Sequence, residues 1–498
     1  MNGFKLFKGK SLLNVIESCN KYKPRFIVND IISLISNKND FKVIELFGNR
    51  RTGKTIAMFH TIKKLLEDNN LDSVIYILCN GSGNIKTLCD IIDSINDKVK
   101  YIFIDEITLL DDFISSINFI TDSYPNKTIV LTGSASLSFV FAESMMFGRY
   151  HKIDSTFISY SEWVYLKGEN ESILDYIHNC GILDNSLSIS MYINDFINEN
   201  IAKSLDTYRN QSDFINPYSS DIPYLAEEYP GIITKITEDF TTRFLISNLK
   251  NKFSFFNLSN KYLNDKSFKD FILNKINSKV GLDTVTKNGL DFLEELLIKD
   301  NFYYKILDVV SDFDSTEGMY NNKINYHLAQ MQPCIRYNQS VQFLDELISR
   351  NLLSTEFNKE HYLELIEGKI LEDIVRVHVG LYFDKRDGSK KIKSIKTFKL
   401  NNTKEIDLIV QSSFSYDAYL IEIKRSKDYR DSYSKWILDD EVNSLFNVTK
   451  SIVLYRGKTT FKIYDNKRVD IINVEDFLKN LDKYLNDKND EFIKARVF

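Results

Sequence analysis

VIELFGNRRTGKT, residues 43–55, joins a five-residue run, apolar but for Glu45, to a short, positively charged turn bounded by glycines. An apolar run of this length, cut off by a turn signal, reads as a buried strand. Gly48 through Thr55 then fit the spacing GxxxxGK[ST], which has a mechanical reason. Gly48 and Gly53 let the backbone curl so that its N–H groups face phosphate. Lys54 reaches the β and γ phosphates of ATP, and the Thr55 hydroxyl ligates Mg2+. Arg51 and Thr52 lie inside the loop and are further nucleotide-contacting candidates. The next stretch, IAMFHTIKKLLED, has helical apolar spacing, and the positive end of such a helix adds to the anion site. A chance glycine–lysine turn is the bland alternative, and the strand before it and the helix after it argue against that.

A second element supports the first. YIFIDE, residues 101–106, is an apolar strand ending in two acids, as a Walker B strand does. Asp105 would hold the Mg2+ shell and Glu106 would polarise the attacking water. A third strand, TIVLTG, presents Thr132 and Ser134 at its end, and either could sense the γ-phosphate. Strands near 43–47, 74–79, 101–105 and 128–132, separated by helical segments, predict an α/β parallel sheet with its ligands at the carboxyl ends of the strands.

GNRRTGKT, FIDEI, LTGSAS, the FGR of Phe147 to Arg149 and the ISYSEW of Ile158 to Trp163 together resemble a group of prokaryotic AAA-type ATPases related to the archaeal-type STAND NTPases. That group carries a twin arginine in the P-loop, a TGSS-like sensor strand, then a GR and a PLSF-E-like segment. Here Ile158 stands where the last of these would have proline. The resemblance covers most of the chain and implies Arg149 as a γ-phosphate contact. A surface arginine in a connecting loop is the ordinary alternative.

The chain has 498 residues, 43% of them apolar and 13% aromatic, enough for two to four domains each with its own core. No apolar run reaches membrane-spanning length, and Lys5, Lys8 and Lys10 break the amino-terminal stretch before a signal core can form. No membrane partner and a cytoplasmic location are expected. The five cysteines are scattered, without a CxxC pair or a Cys/His cluster, so neither a disulfide framework nor a zinc site is indicated.

The expected domains are a helical lead-in over 1–40, the P-loop AAA-type ATPase over 41–165, a helical coupling region over 166–323 and a second catalytic-type domain over 324–498. Within the middle, Val280 to Ile306 has the turn, helix and strand order of a winged helix, yet it offers Asp291, Glu294 and Glu295 where a DNA-reading helix needs basic or amide side chains. A domain-coupling role is therefore preferred. Ser311 to Lys323 reads as a linker.

In the carboxyl-terminal third, KEIDLIV (404–410) and YLIEIK (419–424) read as two strands of a hairpin. Glu422 and Lys424 are two apart and share a face, and Asp407 sits likewise among apolar neighbours. Two carboxylates that hold Mg2+ or Mn2+, with a lysine to steady the nucleophile or the phosphate, suit phosphodiester hydrolysis. The pattern resembles the PD-(D/E)xK, restriction-endonuclease-like fold, also α/β. GKILEDIVRVHVGLYF (368–383) matches that family's G-x-x-x-E-x-x-V helix and offers Glu372 as the first acid, with Glu364, Glu367 and Asp373 close by. A nuclease-like scaffold that binds without cutting is the alternative.

Net charge is −5, but eight Lys/Arg stand against one acid, Asp387, between Lys385 and Lys404. Together with Arg425, Lys427, Arg430 and Lys435 they bracket the acids with positive charge, as phosphate binding requires. A solvated hairpin edge is the ordinary explanation for such lysines. The expected function is an ATPase that gates a metal-dependent nuclease acting on nucleic acid, in the manner of a defence against phage or mobile elements. A STAND-like switch or scaffold is the second reading and a nucleic-acid motor a weaker third. A homo-oligomer or a protein partner fits either of the first two.

Overall fold

The computed structural model describes residues 3–36, 43–48, 51–81, 83–110, 113, 119–120, 122–133, 150–155, 158–168, 171–179, 183, 303–316, 319–330, 333–349, 358–387, 393–401, 403–412 and 416–486. These fall into two compact units. The first holds the described residues up to Ile158 and 165–168; the second holds Ser159–Val164, 171–179 and those from Tyr304 onward.

In the first unit, β1 (Phe4–Phe7), β2 (Val43–Phe47), β3 (Val74–Cys79), β4 (Tyr101–Asp105), β5 (Thr128–Thr132) and β6 (Tyr150–Asp154) form one sheet in the order β1-β3-β4-β5-β2-β6. All neighbours run parallel except β1, which pairs antiparallel with β3. Strands covered on both faces are apolar throughout, and β2 is buried along its whole length. Side chains alternate between the two faces. Ile75, Ile77, Ile102, Ile104 and Leu131 pack with Ile85, Leu88 and Ile92 of α4 (Ile85–Asp93). Ile44, Leu46, Tyr76, Phe103 and Val130 pack on the other face against three helices, α1 (Lys10–Ile16), α2 (Ile27–Ser36) and α3 (Lys54–Asp68). The sheet thus carries helices on both faces, and β5 is inserted between β2, which leads into the loop of Lys54, and β4, which ends in Asp105.

The lead-in departs from its helical expectation by opening with β1. In FKLF, Phe4 is buried and Lys5 exposed, the two-residue alternation of an edge strand.

The second unit is built on β7 (Tyr303–Asp314), β8 (Met319–Gln330), β9 (Lys393–Leu400), β10 (Lys404–Ser412), β11 (Asp417–Ile423), β12 (Asn447–Tyr455), β13 (Thr460–Tyr464) and β14 (Lys467–Asn473), ordered β13-β14-β12-β11-β10-β9-β7-β8. β9, β10 and β11 form an antiparallel meander; β11, β12 and β14 run parallel. Residues of α5 (Tyr160–Lys167) up to Val164, α6 (Ile173–Asn179), α7 (Pro333–Ser349) and α8 (Lys359–Asp387) belong to this unit.

Three expectations meet this unit. The linker over Ser311–Lys323 is instead the end of β7, a turn and the start of β8. Ser315 and Thr316 form a turn within the sheet, as their turn chemistry favours. The region 166–323 is accordingly not wholly helical; of the winged-helix candidate, 280–302 lies outside the described residues and Tyr303–Ile306 opens β7. Lastly, Tyr160 and Trp163, placed with the ATPase by the sequence, pack in the second unit around Tyr176, each with ring centroids 5.5 Å from it. The Tyr160 N–H donates to His378 Nε2 at 2.9 Å.

Candidate nucleotide site and a second acidic site

The turn before α3 is left-handed where its sequence allows, with Gly53 at φ 81° and Arg51 at φ 64°. A side chain at Gly53 would meet Arg25 Cδ at 3.4 Å as well as strain. Lys54 is buried and its ammonium donates to the Gly48 carbonyl at 2.6 Å, inside the loop's own curl. The Asp105 carboxylate is a convergence point at the end of β4. Thr55 Oγ1 and the Tyr76 hydroxyl each donate to its Oδ2 at 2.8 Å, and Thr132 Oγ1 donates to Oδ1. Burial, then the Asp105 charge, pushes the Tyr76 hydroxyl far up, so it stays a donor. Glu106 takes a left-handed turn at φ 56°, and its N–H faces Asp105 Oδ1 at 3.1 Å and Thr132 Oγ1 at 3.3 Å. Lys54, Thr55, Asp105, Glu106 and Thr132 therefore meet at the carboxyl ends of β2, β4 and β5. Ser134 and Arg149 lie outside the described residues.

Residues 40–164 match the family described as AAA domain. The chain carries an AAA-type P-loop ATPase domain. That match supports ATP binding and hydrolysis. No curated protein matches the chain. Among solved structures it is similar to the Walker-type ATPase of Pyrococcus abyssi, at 13% identity over 62% of this chain and 93% of that one, TM-score 0.27. It is similar to PCH-2 of C. elegans, at 17% identity over 41% and 57%, TM-score 0.21. It is also similar to Hsp104 of S. cerevisiae in its complex with casein, at 12% identity over 78% and 86%, TM-score 0.27.

Two residues of the AAA domain site carried no sequence signal. Arg25, buried between α1 and α2 in sequence, donates from Nη1 to the carbonyls of Thr52 at 2.5 Å and Ser155 at 2.7 Å, and Thr52 Oγ1 lies 3.2 Å from Ser155 Oγ. It ties the phosphate loop to the residue after β6. Tyr76 is one apolar letter in VIYILC, and only the parallel pairing of β3 with β4 brings its hydroxyl to Asp105.

The second acidic site is made by the hairpin. Asp407 on β10 and Glu422 on β11 are 6% and 4% exposed, and one ammonium serves both: Lys424 Nζ lies 2.8 Å from Asp407 Oδ2 and 2.6 Å from Glu422 Oε2. The Ile423 N–H also donates to Asp407 Oδ2, at 2.9 Å. Burial opposes the Asp407 charge, but Lys424 and Lys369 outweigh it and hold this carboxyl below the usual range. Burial, then the Asp407 charge, pushes Glu422 the other way. Glu422 Oε1 is buried without a hydrogen bond among the described residues.

Glu372 accepts from the Lys369 ammonium at 2.5 Å, and the Lys369 charge also acts on Asp407. Lys369 was not singled out by the sequence, whereas Glu367 was one of the acids named beside Glu372; both come from one turn of α8. Glu367 accepts from Arg425 Nε and lies 2.7 Å from His178 Nε2. Arg376 Nη2 donates to Thr397 Oγ1 at 2.8 Å and to the Asp407 carbonyl at 3.1 Å, fixing the strand that carries the acid. Among the described residues no group of three or more His, Cys, Asp and Glu side chains is placed to hold a metal ion.

Part of the expected basic surface is spent internally. Lys399 pairs with Glu405 at 3.0 Å, Lys404 with Asp439 and Glu441 at 2.8 Å each, and Arg425 with Glu367 and Glu364. Residues 388–392 lie outside the described residues. No helix among the described residues is long and apolar enough to cross a membrane.

Proposed function

We propose that this chain couples an AAA-type ATPase to a metal-dependent phosphodiesterase that cuts nucleic acid, with ATP binding and hydrolysis licensing the cut. In the AAA domain Lys54 would hold the β and γ phosphates, Thr55 and Asp105 the Mg2+ shell, and Glu106 the attacking water. The Thr55 hydroxyl on Asp105 fits that shell, since the two oxygens that would share the ion already adjoin.

In the second unit the observation that carries the reading is the single Lys424 ammonium bonded to two buried carboxylates. The donor set fits a divalent ion: Asp407 and Glu422 supply charge, and Glu422 Oε1 is an acceptor without a hydrogen bond among the described residues. Bound there, Mg2+ or Mn2+ would supply a water acidified enough to attack phosphorus. Lys424 would then be freed to hold that water or the phosphate. Incubation of purified protein with DNA and RNA in Mg2+ or Mn2+ tests this beside Asp407→Asn. Cutting that vanishes in the variant is expected, and equal cutting by the variant refutes the assignment. A setting in defence would require that an expressing strain restrict at least one phage of a broad panel.

One observation favours the second reading, a regulatory switch whose second unit binds without cutting. Glu372 is ion-paired with Lys369 at 2.5 Å. Intact ATP hydrolysis with no cutting in either metal would select that reading.

A further inference from the structure

The parallel strands β11 and β12 end side by side, and the chains beyond them stay paired. Lys424 N–H donates to the Leu454 carbonyl at 2.8 Å and Arg456 N–H to the Ser426 carbonyl at 2.9 Å. Gly457 permits the closest approach: a Cβ there would lie 2.5 Å from the Lys427 carbonyl oxygen and 2.3 Å from the Tyr455 ring. The result gathers Lys424, Arg425, Lys427 and Arg456 at the carboxyl ends of parallel strands, where α/β sheets bind ligands.

Arg456 stands out within that group. Its Nε is buried and has no hydrogen bond among the described residues. Burial and the neighbouring Arg425 charge both work against its own charge, and Glu475, Glu367 and Asp175 offset them in part. Each of those acids is already engaged. Glu475 accepts from the Ile173 N–H at 3.0 Å, Asp175 from the Ser172 N–H at 2.9 Å and hydroxyl at 2.6 Å, and Glu367 holds His178 and Arg425. A half-buried guanidinium with an orphaned donor is matched by a phosphate, whose oxygens accept from Arg456 while Arg425 stays paired with Glu367 and Glu364.

We propose that Arg456 holds an internal backbone phosphate of the nucleic-acid substrate, adjoining the phosphodiester presented to Asp407, Glu422 and Lys424. This rests on the nuclease reading. It is tested by binding, without any cut: the full chain in EDTA is titrated with fluorescently labelled DNA and RNA oligonucleotides, single-stranded and duplex, across a salt series. For the nucleic acid that binds, Arg456→Ala is expected to weaken affinity about tenfold and to lower the salt slope by about one. Arg456→Lys should keep the slope and lose affinity by a few-fold, because the charge remains and the fork is gone. Unchanged ATP turnover in both variants checks the fold of the remainder, and Arg456→Lys carries the test should Arg456→Ala fail to fold. Wild-type affinity and slope in Arg456→Ala would overturn the proposal and leave the nuclease reading standing. A loss confined to 5′-phosphorylated strands would overturn the internal placement. No binding by the wild-type chain to any of the oligonucleotides would overturn both.

Discussion

Asp105 shows how much one side chain can be told to do by its neighbours. Thr55, Tyr76 and Thr132 all donate to it, from three different elements. A hydrogen bond to a charged group contributes roughly 1.5–3 kcal/mol, and about 1.4 kcal/mol is a factor of ten. Tyr76→Phe keeps the ring and its contacts with Phe7 and Phe59 but releases Asp105 on one side. It should lower ATP turnover about tenfold and raise the Mg2+ needed for half-maximal rate, with the melting temperature near that of the wild type. Turnover measured across a Mg2+ series checks this. Arg25→Ala should raise KM for ATP more than it lowers kcat, because it frees the Thr52 carbonyl without touching Lys54 or Thr55. Lys54, Thr55, Asp105, Thr132, Asp407, Glu422 and Lys424 were legible because each lies within a short motif whose spacing is itself the signal. Arg25, Tyr76, Lys369 and Arg456 were not. The partners of Arg25 and Tyr76 lie tens to more than a hundred residues away, and a single arginine or tyrosine in an apolar stretch has no periodic signature.

At the scale of elements, α8 and the segment Ser159–Val164 make one packed piece. His378 on α8 sets its Nδ1 2.7 Å from the Ile374 carbonyl, fixing Nε2 as the acceptor for the Tyr160 N–H. Burial holds this imidazole down at about 4, so it is neutral in the folded chain. The unfolded chain carries more protons between that value and the ordinary histidine pKa of about 6.5. Stability from this site is therefore complete above about pH 6.5 and falls as pH drops toward 4, by up to about 1.4 kcal/mol per unit. Denaturant titrations of wild type and His378→Ala at pH 7 and pH 5 should show a smaller pH dependence in the variant, and an identical dependence would contradict the assignment. Trp163→Ala, at one of the largest fully buried side chains, should cost roughly 3–5 kcal/mol in the unfolding of the second unit. Strands and their hairpin were readable from short apolar runs cut off by turn signals. The Ser311–Lys323 stretch was not, because its polar turn letters dominate a window that straddles the ends of two strands.

Across the whole molecule, one chain joins an AAA-domain match over residues 40–164 to a buried Asp407–Glu422–Lys424 cluster in the second unit. The class of both sheets could be anticipated, since glycine-bounded phosphate loops and paired acids leave local marks. The membership of residues 159–164 and 171–179 in the second unit could not, because aromatic burial against α6 and α8 depends on contacts far apart in the chain. Positive charge shows the same limit. Lysines counted along the sequence looked available for nucleic acid, yet Lys399 and Lys404 face acids in the fold. The measurement that bears most directly on the account is a cleavage assay of wild type, Lys54→Ala and Asp407→Asn, each with and without ATP, in Mg2+. The account predicts cutting by the wild type only with ATP and none by either variant, with ATP hydrolysis retained in Asp407→Asn. Cutting by Lys54→Ala at the wild-type rate, or cutting that ignores ATP, would contradict it.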